Sequence, residues 1–280
     1  MRLATIRVDG GDTRAVRADG DRLVDLGFGD LGELFGHDDW QTVAATATGP
    51  AHPLQDADFA PVVLRPSKVV FVGLNYKSHI EEMGRDLPQH PVLFAKFADT
   101  LVGADDDVVK PAETDQMDWE CELAVVIGKR VRRATGPDAE AAIAGFSVVN
   151  DFTMRDYQYR TREWLQGKVW EATTPVGPYV VTPDELPGTV RPTLSTRLTV
   201  DGVTKQTANT ADLLFDPVDL VEYISTIVSL NPGDIISTGT NGGVGHARTP
   251  PEFLWGGETV VTTIEGIGTL TTHIVKDPAR

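Results

Sequence analysis

The stretch Asp118 to Lys129, DWECELAVVIGK, joins two patterns that pull in opposite directions. Its second half is a run of β-branched and aliphatic residues closed by Gly128, as in a buried strand, yet its first half carries Glu120 and Glu122 two residues apart. Side chains alternate faces along a strand, so the two glutamates point one way while Cys121 and Leu123 point the other. Like charges on one half-buried face repel, and burying either without a partner costs several kcal/mol. A cation therefore has to sit between them. Lys or Arg in an ion pair would serve, and so would a hard divalent ion, which takes oxygen ligands. A third acid at the right depth favours the ion: Asp151 ends the run FSVVND and begins a polar turn, from which a side chain can reach a neighbouring strand's end.

The chain as a whole is acidic. Its 280 residues hold 41 Asp and Glu against 25 Lys and Arg, a formal net charge of −16, which argues against general affinity for nucleic acid or anionic lipid. Hydrophobic residues make up 41% and charged residues 24%, ordinary globular usage, and no window approaches the roughly 20 apolar residues that span a bilayer, so no membrane association is expected. The start MRLATIRVDGG lacks the basic-then-apolar order of a secretory signal, and the single cysteine, Cys121, forbids an intrachain disulfide. A reducing, cytoplasmic setting is the expectation. Against such an acidic background, a local cluster of Arg and Lys points to a small anionic ligand.

Around the opening stretch, strands outnumber helices. LATIRV, TRAVRA and LVDL, separated by DGGD and DGDR, read as short strands and turns of a small β-rich N-terminal domain spanning residues 1–64. Pro50, Pro53, Pro61 and Pro66 mark the connection into a second domain, residues 65–280. There, GPDAEAAIAG reads as a helix from Pro137 to Gly145 followed by the strand FSVVND. LTVDGVTKQ is a hairpin turning at Asp201-Gly202. DPVDLVEYISTIVSLNPGD is the best helix: Asp216 suits its cap, Pro217 its first position, and Leu220, Ile224, Ile227 and Val228 form an apolar face. Without regular βαβ alternation, the fold class expected is α+β with a mixed, largely antiparallel sheet.

The motifs GLNYKSHIEEMG, DWECELAVVIGK, VNDFTMRDYQ, WLQGK, TPVGPYVVT and LNPGDIISTGTNGGVG occur in the same order as in the fumarylacetoacetate hydrolase family. The chain resembles that family over about residues 65 to 275. The resemblance implies a roll- or sandwich-like catalytic domain of mixed sheet, usually in a homodimer. It implies that Glu120, Glu122 and Asp151 bind Mg²⁺ or Mn²⁺, with Ca²⁺ also compatible with all-oxygen ligands. It assigns His79 and Glu82, three apart and on one face of any helical turn, to a dyad on a mobile segment that orders over ligand; a carboxylate beside imidazole raises its basicity for activating water. It places Lys168 in the active site, and Arg155, Gln158, Gly239 and Thr240 near the substrate. Where the family commonly has Pro, this chain has Asn241.

Each of these has a plainer reading. His-x-x-Glu in a polar segment is commonly a surface pair, a lysine between Trp164 and Trp170 can snorkel, and Arg155 can balance Asp156 or Glu163. His37, His52, His90, His246 and His273 lie far apart in sequence and none reads as a ligand. No C-x-x-C, H-E-x-x-H or G-x-S-x-G occurs, which disfavours zinc and serine-hydrolase chemistry. The expected activity is metal-dependent cleavage of a carbon-carbon bond in an acylpyruvate, a 2,4-dioxo acid such as fumarylpyruvate, releasing pyruvate. Oxaloacetate decarboxylation, or isomerisation or hydration of unsaturated 2-oxo acids, would use the same small anionic ligand. A non-catalytic protein with a structural Ca²⁺ is the reading from a different class.

Overall fold

The structure, a computed structural model, describes residues 1–82, 84 and 86–278, without the side chains of His79 and Glu82. Its central strand is Cys121–Ile127, buried at all seven positions. It pairs antiparallel with Ile143–Asn150 on one side and with Ile235–Thr240 on the other. Beyond Ile235–Thr240 lie Val69–Gly73, in parallel, and Val92–Lys96, antiparallel to it. Beyond Ile143–Asn150 lies Thr174–Val181, and there the sheet takes up the N-terminal strands: Arg2 pairs with Val181 and Leu3 with Val180. Thr13–Asp19, Arg22–Asp25 and Ala51–Pro53 continue that edge, each antiparallel to the last.

A second sheet runs Val203–Asn209, Ser195–Val200, Thr259–Ile264, Gly268–Lys276 and Val108–Lys110, antiparallel until its last pairing, which is parallel. The hairpin expected at Asp201-Gly202 is present, both residues taking the positive φ that a tight two-residue turn needs. The fold is therefore the mixed, largely antiparallel α+β class that the strand-rich sequence implies.

Alternation along the central strand feeds two cores. Leu123, Val125 and Ile127 join Leu220, Val221 and Ile224 of the helix Pro217–Ile227, while Ala124 and Val126 join Leu31, Leu34 and Trp40. A strand covered on both faces leaves the carboxylates at its start no solvent side to turn to.

Three local expectations change. Asp216 caps its helix as expected, accepting from the backbone N–H of Val218 and Asp219, but the helix ends at Ile227, and Ile227 and Val228 face solvent at 60% and 40% exposure. Val221 completes the buried face instead. In GPDAEAAIAG, only Pro137–Glu140 is helical, and Gly145 lies inside the strand Ile143–Asn150, opposite Val126. Pairing with the central strand outweighs the helix preference of its alanines. Finally, Leu31–Phe35 and Trp40–Thr46 form short helices within a part of the chain that the sequence reads as strands and a connection. Among the described residues, no helix is long and apolar enough to cross a membrane.

Candidate metal centre and active site

Register brings the three acids together. Cys121 pairs with Asn150, so Glu120 and Asp151 meet one step beyond the ends of their strands, where Asp151 N donates to Glu120 O at 2.9 Å. The Asn150 side chain accepts from Glu120 N at 3.0 Å and fixes that turn of chain. On the other side Glu122 pairs with Thr240. Glu120, Glu122 and Asp151 are all buried, and one carboxylate oxygen from each lies within 4.8 Å of the others. Oxygens on opposite sides of an ion with bonds of roughly 2.1–2.4 Å are about 4.2–4.8 Å apart, so the three can share one Mg²⁺, Mn²⁺ or Ca²⁺.

Three cations crowd the same acids. Lys168 Nζ donates to Glu120 Oε2 at 2.8 Å and Asp151 Oδ2 at 2.7 Å, and Lys96 Nζ to Asp151 Oδ1 at 2.6 Å. Arg155 Nε donates to Asp118 Oδ2 at 2.8 Å and Nη1 to Gln158 Oε1 at 2.9 Å. Arg155 Nη2 lies 2.7 Å from Glu120 Oε1 and 2.8 Å from Asp118 Oδ2, but at angles that make a hydrogen bond to neither. Glu122 differs from the other two acids: its Oε2 accepts from Ser237 Oγ at 2.5 Å and Gly239 N at 3.0 Å, both neutral donors.

The electrostatics follow from these contacts. Burial, then the charges of Asp151 and Glu120, push the Glu122 carboxyl well above its usual range. Burial would raise Asp151 too, but Lys168 and Lys96 hold it below the ordinary value. Burial lowers Lys96 despite Asp151, whereas the pull of Asp151 and Glu120 overcomes burial at Lys168 and raises it. Lys168 is thus held protonated. The carboxylate left without a cation is the feature that fits a divalent ion, since the ion would supply the charge that Glu122 lacks.

Small residues set these positions. Gly239 adopts φ +93°, and a side chain there would come within 2.6 Å of the Val72 carbonyl; its N–H is thereby free to reach Glu122. A Cβ on Gly167 would meet the Gln158 backbone at 2.6–2.7 Å, so the turn Leu165–Lys168 packs against Arg155–Gln158 only because residue 167 is glycine.

A cavity of about 210 Å³ opens over the centre. Of the residues the sequence singles out, Glu120, Glu122, Arg155, Gln158, Lys168 and Thr240 line it; Gly239 acts from behind, through Glu122. His79 and Glu82 belong to the helix Lys77–Glu82, but their side chains lie outside the described residues. The base of that helix is tethered. Asp212 accepts from Ser78 N and Oγ, and the buried Asn75 amide donates to Thr238 O at 2.8 Å in the strand beside Glu122.

Sequence reasoning passes over Lys96, Asp118, Ser237, Gln206 and His246. Asp118 accepts from Arg155 and from the backbone of Gly245 and His246, tying the cavity's far wall to the centre. Gln206 holds Asn241 through its Oδ1 and carbonyl oxygen and Thr240 through its hydroxyl, so the loop without proline is braced by side-chain hydrogen bonds. His246 lines the cavity with its ring 5.1 Å from that of Tyr159. Lys96 does leave a sequence signal, a lone lysine ending the apolar run VLFA.

The chain belongs to the fumarylacetoacetate hydrolase family: residues 68–275 match the model for the fumarylacetoacetate (FAA) hydrolase C-terminal domain. Within it, the human protein named oxaloacetate tautomerase FAHD2A, mitochondrial, is 40% identical over 234 residues, 83% of this chain and 74% of that protein. A 5-carboxymethyl-2-hydroxymuconate delta-isomerase from Mycobacterium smegmatis is 32% identical, with a TM-score of 0.82 over 99% of this chain and 100% of its own. A maleylpyruvate hydrolase from Sphingobium sp. SYK-6, solved with manganese(II) and pyruvate, is 28% identical, with a TM-score of 0.80 over 99% of each chain. The relatives are thus enzymes of several reaction types.

Proposed function

We propose that the chain is a divalent-metal-dependent hydrolase that cleaves a carbon-carbon bond in acylpyruvates and releases pyruvate. The observation that carries the reading is the meeting of Glu120, Glu122 and Asp151 under a cavity walled by Lys168 and Arg155. Glu120, Glu122 and Asp151 would hold Mg²⁺ or Mn²⁺, which when bound supplies an electrophile for a 2-oxo carboxylate and a counter-charge for a pyruvate enolate. Arg155 and Gln158, which line the cavity, bind the substrate carboxylate. Lys168, held protonated, stabilises an oxyanion at the distal carbonyl. His79, oriented by Glu82, takes the proton from the attacking water. The manganese and pyruvate in the maleylpyruvate hydrolase support this assignment.

Pyruvate release from acylpyruvates, measured with Mg²⁺ and again with EDTA, tests it: activity should need the metal, and full activity after chelation would exclude the metal's role. The name of the human relative favours a second reading, in which the same centre acts on oxaloacetate by tautomerisation or decarboxylation. Only hydrolysis needs water attack, so His79→Ala should abolish hydrolysis more severely than decarboxylation.

A further inference from the structure

We propose that Asn75 and Asp212 are positioning residues: they fasten the root of the helix Lys77–Glu82 so that His79 is held at a fixed place relative to the centre that Glu122 helps to build. This rests on the reading above that His79 is the base of the hydrolysis.

The chain between the strand Val69–Gly73 and this helix is constrained residue by residue. Gly73 lies so close to Trp164 that a Cβ there would come within 2.3 Å of the indole ring. Leu74, which lines the cavity, takes φ +53°, in the left-handed region that a leucine rarely occupies. Such a conformation persists only where its surroundings over-determine it, and it collects at functional sites. Here the next residue does so. The buried Asn75 side chain donates through Nδ2 to Thr238 O at 2.8 Å and to Phe215 O at 3.0 Å, and accepts at Oδ1 from Phe215 N at 2.8 Å. Its carbonyl accepts from Leu214 N at 2.8 Å. One side chain thus joins the helix root to the strand Ile235–Thr240 and to the stretch that leads into the helix Pro217–Ile227. A Cβ on Gly239 would come within 3.2 Å of Asn75 Cβ, so Asn75 lies directly behind the residue whose N–H donates to Glu122.

Asp212 is the second fastening. Its Oδ2 accepts from Ser78 N at 3.1 Å and from Ser78 Oγ, one residue before His79. Tyr76 bridges to Leu213, so Asn75, Tyr76 and Ser78 are each held to residues 212–215. Burial of Tyr76 and Ile80, both at 0% exposure, is enough to seat the helix. Apolar contact has no direction, however, whereas hydrogen bonds do, so the polar fastenings fix where the helix points. A base must come within about 3 Å of the proton it takes, and a misplacement of about 1 Å costs on the order of 100-fold in rate. Direction at the root therefore matters more to the chemistry than to the fold.

A double-mutant cycle with amide exchange tests this. At saturating Mg²⁺, Asn75→Ala should lower kcat for pyruvate release from an acylpyruvate about 100-fold with KM within about threefold, and Asp212→Ala should lower it about tenfold. In the His79→Ala background, either substitution should change the residual rate by less than about threefold, because no base is left to misplace. The Ile80 N–H, which donates to Tyr76 O at 3.0 Å, should exchange at least about tenfold faster in both variants, with the strand Cys121–Ile127 unchanged. Losses that multiply with that of His79→Ala would show support of the fold alone and overturn the proposal, as would unchanged exchange at Ile80. Should Asn75→Ala not fold, Asp212→Ala, at a half-buried site, decides by the same two criteria. Absence of pyruvate release by the unmodified protein overturns the hydrolase reading instead, and exchange at Ile80 then decides by itself whether these residues fasten the helix.

Discussion

Glu122 is buried beside two other acids yet meets only a hydroxyl and a backbone N–H. Its carboxyl titrates above the ordinary 4.5, so the folded chain keeps a proton there that the unfolded chain gives up. That contribution to stability is present below about pH 4.5 and is lost as pH rises through the folded-state value, leaving the metal-free protein weakened at neutral pH. Glu122→Gln should therefore raise the melting temperature measured in EDTA at neutral pH and remove any further rise on adding Mg²⁺. Ser237→Ala, which frees Glu122 Oε2 from its shortest contact, should weaken metal affinity by about 10–100-fold in a calorimetric titration, with the fold retained. The acids themselves were legible from spacing, because two like charges at the head of an apolar strand demand a partner. Ser237 was not, since a serine in a strand carries no sign of the side chain it meets from a distant segment.

Strands and short turns aim these side chains. The antiparallel register Cys121 to Asn150 places Glu120 against Asp151, and the positioning of Lys168 depends on the close approach of two helical turns at Gly167. Gly167→Ala should push those turns apart and lower kcat/KM by on the order of 100-fold, the cost of a misplacement near 1 Å, while circular dichroism stays native. The capping box at Asp216 belongs to the scaffold: Asp216→Ala should cost about 1 kcal/mol in denaturant unfolding without altering metal affinity. Elements with strong local signals, the capped helix Pro217–Ile227 and the hairpin at Asp201-Gly202, could be read from sequence. The stretch Ile143–Gly145 could not, because its conformation is decided by pairing with Cys121–Ile127 rather than by its own propensities.

Across the whole molecule, one sheet carries both the N-terminal strands and the acidic centre, joined where Arg2 and Leu3 pair with Val181 and Val180. That order of strands is set by contacts far apart in sequence, so composition and alternation reveal the sheet type and not its sequence of neighbours. The centre sits where three of those distant strands end, and an ion binding only the folded chain would stabilise it by about 2.7 kcal/mol at 100 times its dissociation constant. Titration of the EDTA-treated protein with Mn²⁺, followed by calorimetry and by the loss of the free-ion paramagnetic resonance signal, tests that centre most directly. One ion should bind per chain in the unmodified protein, and binding should be lost when Glu120, Glu122 and Asp151 are all replaced by their amides. No saturable uptake by the unmodified protein, or undiminished uptake by the triple variant, would contradict a metal centre built from these three acids.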